Sequence, residues 1–156
     1  MPKIWEGKSS GRGVRFAVVM SRFNSTVTDK LLEGAVAALR RCSVADEDVE
    51  IVRVPGAFEI PIAARKLAAT GRFAAVVCLG AIIRGGTPHW HYLCHAVTEG
   101  IVRASLDADV PMTNGVLTTE SLSQAVERAG KGTDNKGYDA AVAAVEMASL
   151  VRQLGE

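Results

Sequence analysis

Apolar residues gather along this chain in two alternating rhythms. Segments of strand length stand at Arg15 to Met20, Val49 to Val54, Ala74 to Leu79 and Met112 to Leu117. The first is a continuous apolar run, as expected for a strand covered on both faces. Between the strands, apolar positions recur every three or four residues. Leu31, Leu32, Ala35, Val36 and Leu39 within Thr28 to Arg41 trace one face of an amphipathic helix. Further helices are predicted over Glu59 to Ala69, with Pro61 tolerated only in the first turn, over Pro88 to Ser105, over Ser121 to Ala129, and over the alanine-rich stretch Tyr138 to Leu154. Ser121 with Gln124 forms a capping box, and Gly130 is a natural stop. Strand and helix alternate throughout. The predicted fold is therefore α/β, a three-layer sandwich with a four-stranded parallel sheet, right-handed crossovers and helices on both faces.

In such sheets ligands bind beyond the carboxyl ends of the strands. The stretches to search are Ser21 to Ser25, Pro55 to Glu59, Gly80 to His89 and Asn114 to Thr119. The third is the richest. A turn containing Arg84, Gly85 and Gly86 leads to Thr87 as a candidate N-cap and Pro88 at the first helical position. A helix start of this kind offers free N–H groups and the positive end of a dipole, which suits a phosphate. His89, whose proton is mobile near neutral pH, follows at once. The same pattern also serves as plain scaffold, and local sequence alone does not separate the two. Elsewhere Phe23 beside Asn24 fits a stack on a planar heterocycle with a hydrogen bond to its edge, although in isolation the pair reads first as a core Phe and a turn Asn. Glu59 suits either hydroxyl binding or the dipole of the helix it begins, and Arg128 either a helix C-terminus or a phosphate clamp. His91 and His95 are four apart, with Glu99 one turn on; the spacing permits a metal pair. With no cysteine or second carboxylate to complete a site, it reads better as a solvated or pore-facing stripe.

Composition narrows the partners. At 156 residues and 48% hydrophobic content the chain is expected to form one domain over residues 1–156, with residues 1–13 as an arm that would be loose alone and pairs with something else. Eighteen basic against seventeen acidic residues leave a formal charge of +1, which excludes a broad cationic footprint for nucleic acid or membrane. The expected partners are small molecules and further copies of the chain. Cys42, Cys78 and Cys94 are odd in number and widely spaced, which argues against disulfides and against a paired-cysteine metal site. No apolar run approaches the roughly 20 residues of a membrane span and the N-terminus lacks a signal sequence, so a cytoplasmic protein is expected.

Taken together the motifs closely resemble the lumazine synthase family. They are SRFN at Ser21 to Asn24, VPGAFEIP at Val54 to Pro61, GAIIRGGTPHW at Gly80 to Trp90, NGVLTTE at Asn114 to Glu120, ERAG at Glu127 to Gly130 and NKG at Asn135 to Gly137. One would be weak; six in order are specific. The resemblance implies a flavodoxin-like fold and the condensation of 5-amino-6-(D-ribitylamino)uracil with 3,4-dihydroxy-2-butanone 4-phosphate, releasing phosphate and water, without metal or organic cofactor. By position, it implies that Phe23 stacks on the pyrimidine, and that Ala57, Phe58 and Glu59 meet the ribityl chain and ring edge. Ala81, Ile82 and Ile83 would line the same pocket through backbone. Gly86, Thr87 and Arg128 would take the phosphate, His89 would act as the acid/base group, and Lys136 would approach the same region. Two positions depart from many relatives: His91 stands where they have an acidic residue, and Asn114 where they place a Phe over the pyrimidine from a neighbouring subunit. The family also implies a homopentamer with sites between subunits and the arm joining a neighbour's sheet. Some members assemble twelve pentamers into a hollow shell, and the short loop Gly130 to Gly137 resembles theirs. A fivefold channel lined by the helix after His89 would then carry rings of His91, His95 and Glu99 that repel when protonated. The rival reading is a non-catalytic flavin-binding or shell-forming relative, against which His89, Arg128 and Lys136 speak, since flavin binding needs no proton shuttle.

Overall fold

A computed structural model describes residues 1–156. Burial decides the centre of its sheet. Phe16–Ser21 (β1) is buried at every position, and Ala75–Ile83 (β3) at all but its last. These two strands pair with each other, while Val49–Val54 (β2) and Met112–Thr119 (β4) take the outer places in the order β2, β1, β3, β4, every pair parallel. Successive side chains of a strand point to opposite faces, so one sheet feeds two cores. On one face Phe16, Val18 and Leu79 pack against Leu31 and Leu39 of α1 (Ser25–Arg41) and against Ala141 and Ala144 of α5 (Lys136–Gly155). On the other, Val19 and Cys78 meet Ile60 and Ala64 of α2 (Ile60–Ala68) and Val97 and Ile101 of α3 (His89–Ala108). The short α4 (Leu122–Arg128) joins the first face through Ala125. The three-layer α/β sandwich expected from the apolar rhythm is the one observed, and it is flavodoxin-like, as the resemblance implies.

The differences lie at element ends. β3 runs to Ile83, four residues past Leu79, because Gly80 is a strand glycine: a Cβ there would sit 2.9 Å from Ser21 Oγ and 3.1 Å from Ile60 Cδ1. Its role is close approach rather than a turn. β4 likewise continues to Thr119, and α3 to Ala108, where Asp109 in the left-handed region ends it. Thr87 does not cap α3. Pro88 is the N-cap, with no side-chain cap, and its carbonyl accepts from the N–H groups of His91 and Tyr92. The box at α4 is displaced: Ser121 Oγ accepts from the Gln124 amide as expected, but the Gln124 side chain accepts from the Glu120 N–H, one residue before the cap. The sequence reading missed Asn135, which caps α5 by accepting from the Tyr138 N–H and donates to the carbonyls of Lys30 and Gly130. The arm is not loose throughout. Gly7 lies against Glu146, the Lys8 N–H donates to Ser149 Oγ, and Gln153 Nε2 donates to the Glu6 carbonyl, so its inner half is tied to α5. Residues 1–5 are exposed and belong to no strand.

Candidate active site

The chain leaves β1 for β2 on one side and later returns to add β3 on the other, so a crevice opens between the carboxyl ends of β1 and β3, the switch point of this topology. A cavity of about 660 Å³ occupies it, within the size range of small-molecule sites. Its walls come from three strand ends. Phe23 and Asn24 follow β1, Ala57, Phe58 and Glu59 form a short 3-10 turn after β2, and Ala81, Ile82 and Ile83 close β3. Thr87 and His89 form the far wall.

Phe23 is 71% exposed and Phe58 67%, so neither is a core aromatic, which overturns the isolated reading of Phe23. An exposed ring at a cavity mouth offers a face for a planar ligand. Asn24 is a turn residue in the left-handed region, φ 63°, ψ 45°, a conformation Asn tolerates better than most side chains. Its Nδ2 donates to the Ala81 carbonyl at 2.9 Å, which ties the β1 and β3 walls together. Glu59 is the N-cap of α2 and its carboxylate folds back toward Gly56, where an added Cβ would lie 3.6 Å from Glu59 Oε1.

The α3 end of the cavity is a nest of donors. The N–H groups of Gly85, Gly86, Thr87, His89 and Trp90 find no acceptor in the chain, and a Cβ on either glycine would meet open space. Unpaired amides at a helix start, on the dipole's positive end, form an anion site. Of the two glycines, Gly85 lines the cavity and Gly86 does not. Trp90 was not foreseen. Its Nε1–H donates to the Ile82 carbonyl at 3.3 Å and Arg84 lies over its ring, so the indole fastens the start of α3 to the end of β3. Leu93 also lines the cavity, and it was legible as the residue four after His89 on the same helical face.

Three expected residues lie elsewhere. Asn114, Arg128 and Lys136 line a second, smaller cleft of about 210 Å³ beside the outer strand β4. The Arg128 guanidinium donates to the Gln124 carbonyl at 3.2 Å, and Lys136 pairs with Asp139 at 3.5 Å. Both are exposed, and such contacts are weak. Within one chain the imidazole and nest face one cleft while the guanidinium and ammonium face another.

Residues 13–152 match the family model described as 6,7-dimethyl-8-ribityllumazine synthase. The chain belongs to the lumazine synthase family. It is 50% identical over 154 residues to the 6,7-dimethyl-8-ribityllumazine synthase of Syntrophus aciditrophicus (strain SB), covering 99% of this chain and 100% of that protein. It is 48% identical over 153 residues to the 6,7-dimethyl-8-ribityllumazine synthase of Desulfatibacillum aliphaticivorans, covering 98% and 99%. In lumazine synthase terms, the crevice gathers the residues expected to hold the pyrimidine and ribityl chain, together with His89. The second cleft gathers the cations expected at the phosphate. No helix is long and apolar enough to cross a membrane.

Proposed function

We propose that this lumazine synthase condenses 5-amino-6-(D-ribitylamino)uracil with 3,4-dihydroxy-2-butanone 4-phosphate in the β1/β3 crevice, with Asn114, Arg128 and Lys136 supplied by a second copy of the chain. Synthesis of 6,7-dimethyl-8-ribityllumazine, a transferase step of riboflavin biosynthesis, follows from family membership. The division of the phosphate and proton-transfer groups between two clefts of one chain carries the proposal of a shared site.

In this reading Phe23 lies on the pyrimidine, and Asn24, Phe58 and Glu59 meet the ring edge and ribityl chain along with Ala57. The backbone of Ala81, Ile82 and Ile83 forms the floor. The phosphate sits on the donors around Gly86 and Thr87, and Arg128 of the second copy closes over it. An amine attacks the ketone, water leaves to give an imine, phosphate is eliminated, and the ribityl-bearing nitrogen attacks the carbonyl this elimination uncovers and closes the ring with loss of a second water, so a proton moves at nearly every step. His89, beside the phosphate end, serves several of these transfers as acid and base. Holding two polar substrates in register supplies much of the remaining acceleration.

The assembly we infer is a homopentamer of single-domain subunits in the cytoplasm, with twelve pentamers forming a shell. The free outer edge of β2 and the exposed Ile4 and Trp5 of the arm support strand addition between copies. Mixing the purified protein with both substrates and following lumazine fluorescence tests the activity. His89→Ala should slow turnover by about 10²- to 10⁴-fold with a residual rate. A protein that purifies yellow and makes no lumazine would favour a flavin carrier instead. A pentamer mass in light scattering would overturn the shell.

A further inference from the structure

We propose that His91 and His95 form a two-imidazole chelate for a borderline divalent transition-metal ion, Zn²⁺, Ni²⁺ or Cu²⁺, on α3 and outside the crevice. Spacing alone left a solvated stripe as the better reading of these histidines; the side-chain geometry changes the balance. Their ring centroids lie 4.8 Å apart with the planes inclined by 74°. Both residues are exposed, and no hydrogen bond or ion pair within the chain occupies either imidazole. A metal-to-nitrogen bond of about 2.05 Å, with about 1.15 Å more from nitrogen to ring centre, puts each centroid roughly 3.2 Å from a shared ion. Two centroids at the observed separation therefore lie within reach of one shared ion, since two such radii span up to about 6.4 Å. Imidazole is a ligand suited to all three metals.

Within one chain no third His, Cys, Asp or Glu joins the pair, so the two imidazoles are the chain's own ligands and leave the ion's remaining positions open. The site is therefore open and exchangeable, unlike a closed structural zinc site. Cys94 stands between the two histidines in sequence but is half-buried and packed against the apolar core beneath α3, whereas both imidazoles are exposed. Neither His91 nor His95 lines the crevice, whereas His89 does. A bound ion would link the first and second turns of α3 and resist their fraying.

The test is calorimetric titration of the untagged, full-length protein with ZnCl₂, paired with thermal melts with and without the ion. Tight binding with a raised melting temperature is expected for the native chain. His91→Gln and His95→Gln should each lower affinity at least about tenfold, and the double variant should lose less than the two single losses combined, because either change alone already abolishes the chelate. His89→Gln should bind like the native chain. Millimolar native affinity, losses that add in the double variant, or an equal loss on His89→Gln would each overturn the chelate. Repeating the titration with Cys94→Ser gives unchanged affinity if the imidazoles are the ligands, and a large loss there would also overturn it.

Discussion

Two damaged copies of this chain should repair each other. His89→Ala removes the proposed proton carrier from the β1/β3 crevice, and Arg128→Ala removes one of the two cations from the cleft beside β4. A charge-assisted hydrogen bond contributes about 1.5–3 kcal/mol. Arg128→Ala should therefore raise the KM for the phosphorylated substrate about 10- to 100-fold. In a closed ring each seam takes one cleft from each neighbour, so an equal mixture of the two variants, denatured and reassembled together, makes about one quarter of its seams fully native. Lumazine formation at low phosphorylated substrate should rise to about a quarter of the native rate. The companion mixture sharpens the test. Native chains reassembled with an equal amount of the His89→Ala/Arg128→Ala double variant give about one quarter if the site spans a seam, and about one half if it lies within one chain. No recovery in the first mixture together with one half in the second would refute the shared site.

Three further outcomes follow from side chains around the sheet. At Asn24, with φ 63° and a hydrogen bond to Ala81, Asn24→Ala should cost about 2 kcal/mol through backbone strain and the lost bond, and Asn24→Gly about 1; equal melting shifts at matched concentration would refute that division. Ser21 Oγ is buried without a hydrogen-bond partner, so Ser21→Ala should gain about 1 kcal/mol and raise the melting temperature by about 2–4 °C, and a lower melting temperature would refute this. Burial pushes the Cys78 thiol up to about 12, so at pH 8 a thiol reagent should label Cys94 while Cys78 stays protected until the chain unfolds; early labelling of Cys78, read by mass spectrometry of its peptide, would refute it.

Some of this architecture is written plainly in the residues and some is not, for physical reasons. β1 and β3 were legible because strands covered on both faces spell continuous apolar runs, and the cavity's position then followed from the alternation of strands and helices. Gly80 misled, because a glycine needed for close approach to Ser21 looks the same in sequence as one needed for a turn. The junction at Thr87 and Pro88 misled by one residue, since Pro88 already has helical φ and ψ and takes the cap position itself. Phe23 read in isolation as core, because aromatic burial is the usual case; its exposure becomes intelligible only beside the cavity it borders. Trp90 was missed because its role depends on a carbonyl of Ile82, eight residues away, that the fold alone brings within reach. That Arg128 and His89 occupy separate clefts was beyond any reading of local pattern, since it depends on where the β4 edge lies relative to the switch point.

The separation has an energetic logic. The donors at the start of α3 act like roughly half a positive charge, too little to neutralise a phosphate dianion. Arg84 lies over the Trp90 ring, and Arg128 is held in its own chain by a single contact to the Gln124 carbonyl at an exposed helix end. Such a contact is readily exchanged for a bidentate grip on phosphate. On the proposed shared site, a chain alone would bind the ring and ribityl parts of its substrates without balancing the phosphate charge, whereas a seam would supply both. Linkage makes the coupling reciprocal: if the seam tightens phosphate binding, phosphate must tighten the seam by the same factor. Under that proposal, assembly and substrate binding would reinforce each other at the carboxyl end of the sheet.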